Sequence, residues 1–124
     1  MRTKKAIETT EEATAYPMQK ADGWFIEDEG DDVMGIETKH YENGGITKRC
    51  KLRDGREATS RLLKGKDRLL LNRVSEGKKE KYQDAIVVIS TKIADKPMII
   101  EDLDEFWFND LTKIQAMVTS INFM

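Results

Sequence analysis

An Asp-Gly pair stands between two runs that read as strands, and it constrains the fold more than any other feature of this chain. On its N-terminal side Ile46, Lys48, Cys50 and Leu52 alternate with Thr47, Arg49 and Lys51, a period of two whose apolar face is interrupted by Lys48. On its C-terminal side, Glu57 through Leu62 can run back as a second strand. Between them, Arg53-Asp54-Gly55-Arg56 supplies residues that accept the positive φ values of a tight reversal. A β-hairpin is therefore expected here.

Helical periods follow. Gly65 breaks the chain, Asp67 sits where an acidic first turn is favoured, and Leu70 and Val74 lie one turn apart before Gly77. A second helix is expected from about Lys79 to Ala94, because Tyr82, Ile86, Ile89 and Ile93 fall at i, i+4, i+7 and i+11. Its β-branched run taken alone would also suit a buried strand. Asp95-Lys96-Pro97 reads as a turn, since proline disfavours helix at the residue before it. Met98 to Ile100 reads as extended, and Glu101 to Glu105 as one helical turn. Asn109 or Asp110 is expected to cap a last helix with Leu111, Ile114, Val118 and Ile121 on one face. The expected fold class is α+β: a β-hairpin, or a small antiparallel sheet, followed by a compact bundle of about three helices across residues 46–124.

Residues 1–45 read as an acidic, partly flexible N-terminal segment. Residues 1–22 are expected to be a tail, because Ile7 to Ala15 carries too thin an apolar face to offset its ordering entropy. Residues 23–45, with the cluster Trp24-Phe25-Ile26, are expected to pack on the domain or join its sheet. The acidic run Glu27 to Asp32 lacks the alternating ligand spacing of a calcium loop and reads as a solvated loop. Met1 to Lys5 is followed by acidic residues rather than an apolar segment, so no signal peptide is expected. No run approaches the ~18 apolar residues of a membrane span. With a single cysteine, these features point to a reducing, intracellular setting.

Catalytic patterns are sparse. The one histidine, His40, and the one cysteine, Cys50, cannot assemble a zinc site, and they read as a loop histidine and a half-buried strand cysteine. The glycines match neither a phosphate loop nor a dinucleotide fingerprint. Asp102, Asp104, Glu105 and Asp110 fit helix starts better than a carboxylate pair. The chain is accordingly expected to be a binding protein rather than an enzyme, with no cofactor and no metal.

Two surfaces are candidates for binding. Phe106-Trp107-Phe108 cannot all enter one core from a helix or a strand, so at least one ring is expected near the surface, with two closing the core. Trp107, Phe108, Met117 and Phe123 are the candidate anchors for a protein partner. The other surface is electrostatic. Residues 48–81 hold thirteen Lys or Arg against five Asp or Glu, a net +8 between acidic flanks of −6 and −4. This basic stretch suggests, as the alternative reading, a small nucleic-acid-binding regulator using Arg49, Lys51, Arg53, Arg56, Arg61 and Lys64. No aromatic residue lies between Tyr41 and Tyr82 to stack a base, which counts against it.

The order of motifs in residues 46–123 resembles the small tail assembly chaperones of Mu-like and related contractile-tailed bacteriophages. Leu52-Arg53-Asp54-Gly55-Arg56 matches an L-x-DGR hairpin, Gly65-Lys66-Asp67 a G-x-D helix start, and Asp110-Leu111 opens a final helix. The resemblance implies a cytoplasmic protein of the infected bacterium that binds the long helical tape measure protein and keeps it soluble. It also implies absence from the mature virion and, often, a frameshifted longer form. Residues 1–45 have no counterpart in that pattern. A homo-oligomer, including one built by exchanging the N-terminal segment, stays open.

Overall fold

The computed structural model describes residues 23–123. The expected tail at residues 1–22, and Met124, lie outside the described residues. The Asp-Gly reversal forms as the spacing predicts. Gly55 N–H donates to Leu52 O at 3.0 Å with Gly55 at φ 91, a conformation that glycine adopts without Cβ strain. The Asp54 carboxylate receives the Arg56 N–H at 3.0 Å and its Nε at 2.7 Å. On either side run β2 (Ile46–Lys51) and β3 (Glu57–Arg61), in antiparallel register with Cys50 opposite Ala58.

The sheet is larger than a hairpin. β1 (Glu37–His40) pairs with β2, β4 (Thr91–Ile93) with β3, and β5 (Lys96–Pro97) with β4, giving an all-antiparallel order β1-β2-β3-β4-β5. Residues 23–45 take the sheet-joining alternative: Phe25 exchanges backbone bonds with Thr38 at 2.9 and 2.7 Å on the outer edge of β1, and Ile36 is fully buried. The expected boundary at residue 45 falls inside the β1–β2 hairpin.

Four α-helices accompany the sheet. They are α1 (Glu29–Met34), α2 (Arg68–Ser75), α3 (Tyr82–Ser90) and α4 (Phe108–Asn122), with 3-10 turns at Gly65–Asp67, Lys79–Lys81 and Ile100–Glu105. α4 packs across β2 and β3, and α3 lies against both α4 and α2. The architecture is thus α+β, a five-stranded sheet with helices, rather than a hairpin beside a three-helix bundle.

The second predicted helix ends sooner than its period suggested. α3 stops at Ser90, whose hydroxyl donates to Ile86 O at 2.6 Å, and Thr91 to Ile93 turn into a strand opposite Ala58 to Ser60. Ile93 is buried from the sheet, not from the helix stripe. Period alone could not separate the two, since Ile93 finds the same core by either route. Ala94 and Asp95, at φ 51 and 66, make the tight turn, so Lys96-Pro97 is a strand and not part of that turn. Pro97 sits on the sheet's edge, where a missing N–H costs nothing.

Strand alternation decides which residues enter the core. Thr38, Lys48, Ser60 and Thr91 stand in one row across β1 to β4, each at most 3% exposed. Cys50, Ala58 and Ile93 lie beside them, and Ile114, Met117 and Val118 of α4 close over this face. Ser60 and Thr91 satisfy one another through a 2.7 Å hydroxyl bond.

Lys48 is the anomaly in that row. Its Nζ lies 2.9 Å from Asp31 Oδ2 and 2.9 Å from Glu27 Oε1. The acidic run is therefore not a solvated loop. Asp28 accepts the Asp31 N–H at 2.8 Å as N-cap of α1, Gly35 ends it at φ 71, and Asp31 is buried on Lys48. Burial pushes the Lys48 pKa down, but the bonds to Asp31 and Glu27 outweigh it and hold the ammonium above its ordinary value.

Candidate interaction surface

The region around the start of α4 gathers exposed aromatic surface beside a cavity. Asp110 was expected as a possible helix cap; instead its carboxylate accepts the Arg53 N–H at 3.2 and 3.3 Å, and it is 3% exposed. Trp107 occupies the cap position in an extended conformation, with no side-chain cap bond. The buried Asp110 thus fastens the β2–β3 turn to the first turn of α4. In that arrangement the Arg53 guanidinium stands 5.5 Å from the Trp107 ring, within cation–π range.

Of the three consecutive aromatic residues only Phe106 packs against the core. Trp107 is 69% exposed and Phe108 83%, so the expectation that two of the three close the core is corrected to one. The backbone explains this: Phe106 and Trp107 are both extended, which turns successive side chains away from each other. Beside them lies a cavity of about 220 Å³, lined by Arg56, Lys96, Asp102, Glu105 and the apolar Met98 and Phe106. Asp102 keeps its predicted capping role, accepting the Ile99 N–H at 3.0 Å.

The other candidate anchors divide. Met117 is fully buried under the sheet and cannot touch a partner, because it falls on the face of α4 that carries Ile114, Val118 and Ile121. Phe123 is half exposed at the far end of the helix, about 22 Å from Phe108 at 1.5 Å per residue. Trp107 and Phe108 are therefore both exposed at the start of α4, and Phe123 stands apart.

The six basic candidates do not form one free surface either. Arg49, Lys51 and Arg61 lie on the outer face of the sheet, Arg53 and Arg56 in the β2–β3 turn, and Lys64 beyond β3. Arg49 Nε is 2.9 Å from Glu37 and 3.9 Å from Glu57, and its guanidinium lies 4.0 Å from the Trp24 ring. Arg61 grips Asp67 through two 3.1 Å bonds, chiefly for which the Asp67 carboxyl is held below its ordinary range. Arg56 is engaged by Asp54 at 2.7 Å. Trp24 and Trp107 are the aromatic partners of this basic stretch, and both come from outside it in sequence.

His40 and Cys50 are separated by the strand register. His40 stands opposite Ile46, and Cys50 is four residues farther along β2, about 13 Å away. His40 stacks on Phe25 at 5.4 Å and lies 3.5 Å from Glu27. Cys50 is 2% exposed rather than half-buried, and burial pushes its thiol up to about 11. Among the described residues no group of three His, Cys, Asp or Glu side chains is placed to hold a metal ion, and no helix is long and apolar enough to cross a membrane. Compared with protein-family models, with curated proteins and with solved structures, the chain matches none.

Proposed function

We propose that this chain is a phage tail assembly chaperone that covers an apolar helical segment of the tape measure protein with the aromatic surface at the start of α4. The observation that carries the reading is the pair Trp107 and Phe108 at the start of α4, 69% and 83% exposed. Large rings held out of the core add little to folding stability, and exposed aromatic surface is an ordinary mark of a binding site. The identity of the partner comes from the motif order in residues 46–123. A tape measure segment carries long apolar stripes that need cover before assembly, which suits a rigid aromatic anchor. In this reading the protein acts in the cytoplasm of the infected bacterium, is absent from the finished virion, and binds rather than catalyses.

Co-expression with a tape measure segment should raise that segment's solubility. Trp107→Ala should weaken the complex by about 2 kcal/mol, the scale of an interface hot spot, while the unfolding free energy of the free chain in urea stays within about 0.5 kcal/mol because the ring is exposed. A segment that stays insoluble, with Trp107→Ala changing no binding isotherm, removes the proposal. The alternative, nucleic-acid binding through residues 48–81, draws less support because Arg49, Arg56 and Arg61 already face carboxylates of their own chain.

A further inference from the structure

The exposed side of α4 carries a stripe that is unusual for so highly charged a chain. Phe108, Thr112, Gln115 and Thr119 fall within an arc of about 60° at 3.6 residues per turn, opposite the buried Ile114, Met117, Val118 and Ile121, and the exposed Phe123 follows as the C-cap. None of the five is charged, in a protein in which 35% of residues are. Depletion of charge together with terminal aromatic residues is the composition of an interface centre.

The stripe also reads the same in both directions. Phe108 and Phe123 are equidistant from the midpoint between Gln115 and Ala116, and so are Thr112 and Thr119. An antiparallel copy of α4 laid along it sets each phenylalanine against the other phenylalanine of its mate and each threonine against a threonine. Such self-complementarity is what a two-fold interface requires.

The ends agree in charge. Asp104 and Glu105, both exposed, immediately precede the N-terminal end of α4. At the other end Asn122 binds the Leu63 N–H at 2.8 Å, which brings the exposed Lys64 and Lys66 alongside. Antiparallel docking places the acidic end of one copy by the basic end of the other and opposes the two helix dipoles.

From these three features we infer that the chain forms a two-fold dimer through antiparallel α4 helices, centred between Gln115 and Ala116. The dimer goes beyond the chaperone reading and does not depend on it. It brings Phe123 of one copy beside Phe108 and Trp107 of the other, so that anchors about 22 Å apart in one chain meet at each end of the pair.

Sedimentation velocity of the full chain across a concentration series should show the 14.3 kDa monomer doubling in mass. Gln115→Arg and Gln115→Glu place like charges at the two-fold axis, and each alone should weaken the dimer about a hundredfold. Mixing the two variants should restore it as a heterodimer, a rescue that misfolded chains could not give. A chain that stays monomeric overturns the inference, as does a dimer indifferent to both substitutions. A monomer that takes up an isolated tape measure helix on this stripe, with binding lost in Gln115→Arg, overturns it too.

Discussion

Lys48 and Arg49 are neighbours in sequence, and each meets two carboxylates, yet they are held in different ways because strand alternation sends them to opposite faces of the sheet. Lys48 is 3% exposed and reaches Asp31 and Glu27 at 2.9 Å, so α1 is closed over it like a clasp. Arg49 stands on the outer face between Glu37 and Glu57, against the Trp24 ring and 23% exposed, so solvent reaches it as it does not reach Lys48. The difference teaches that counting ion pairs says little about stability. What counts is the cost of leaving one partner behind. A buried charge without its partner costs about 3–5 kcal/mol, whereas an exposed pair is worth about 1 kcal/mol or less.

The largest effect should come from the inner face. Lys48→Ala leaves Asp31 buried opposite Glu27 with no cation between them and should lower unfolding free energy by about 3 kcal/mol in urea titration. The double change Lys48→Met with Asp31→Leu removes the two buried charges, leaves only the partly exposed Glu27, and should recover most of that loss, since a buried pair replaced by apolar groups is often near neutral. If the double variant is as unstable as the single one, packing rather than charge is the reason.

The alkaline limb should be the next largest effect. The Lys48 value is raised in the folded state, so its contribution is complete below the ordinary lysine value of about 10.4 and is lost as pH climbs through the folded value. Cys50 acts in the same direction over a lower range, because an unfolded chain releases a thiol proton that burial retains to about 11. In a Cys50→Ala background, urea midpoints should therefore fall above about pH 10 for the parent and fall less for the Lys48→Met, Asp31→Leu variant, in which the exposed Lys81–Glu76 pair still titrates in that direction. Smallest of all, Arg49→Ala should cost about 1 kcal/mol and lose part of that at high salt. A loss of several kcal/mol would show that the outer face is as dry as the inner one.

Much of this fold was legible in the chain. The Asp54-Gly55 reversal, the strands beside it and the buried stripe of α4 follow from local chemistry and from periods of two and 3.6, which need no distant partner. Even Lys48 was legible as an inward position, since Ile46, Cys50 and Leu52 mark its face. What read as an interruption was a place awaiting a partner. Nothing local says that Glu27 and Asp31, some twenty residues upstream, supply it. The same reason hides β1 and β4: each is short and ambiguous alone, and becomes a strand by pairing with the β2–β3 hairpin.

The candidate surface divides along the same line. That one ring of Phe106-Trp107-Phe108 must reach solvent was required by the stereochemistry of consecutive side chains, and the sequence alone determined it. Which rings emerge was decided by the extended backbone at Phe106 and Trp107, next to the point where the bond from the Arg53 N–H to Asp110 joins the hairpin turn to α4 across 57 residues. Met117 was withdrawn from the surface by the way α4 lies on the sheet, and Lys48 and Arg49 of the basic stretch were paired with Glu27, Asp31 and Glu37 from outside it, while Arg56 and Arg61 took Asp54 and Asp67 from within. Turn chemistry and periodicity are local and can be read residue by residue. Burial and charge pairing depend on which distant segments arrive, and only the tertiary structure decided those.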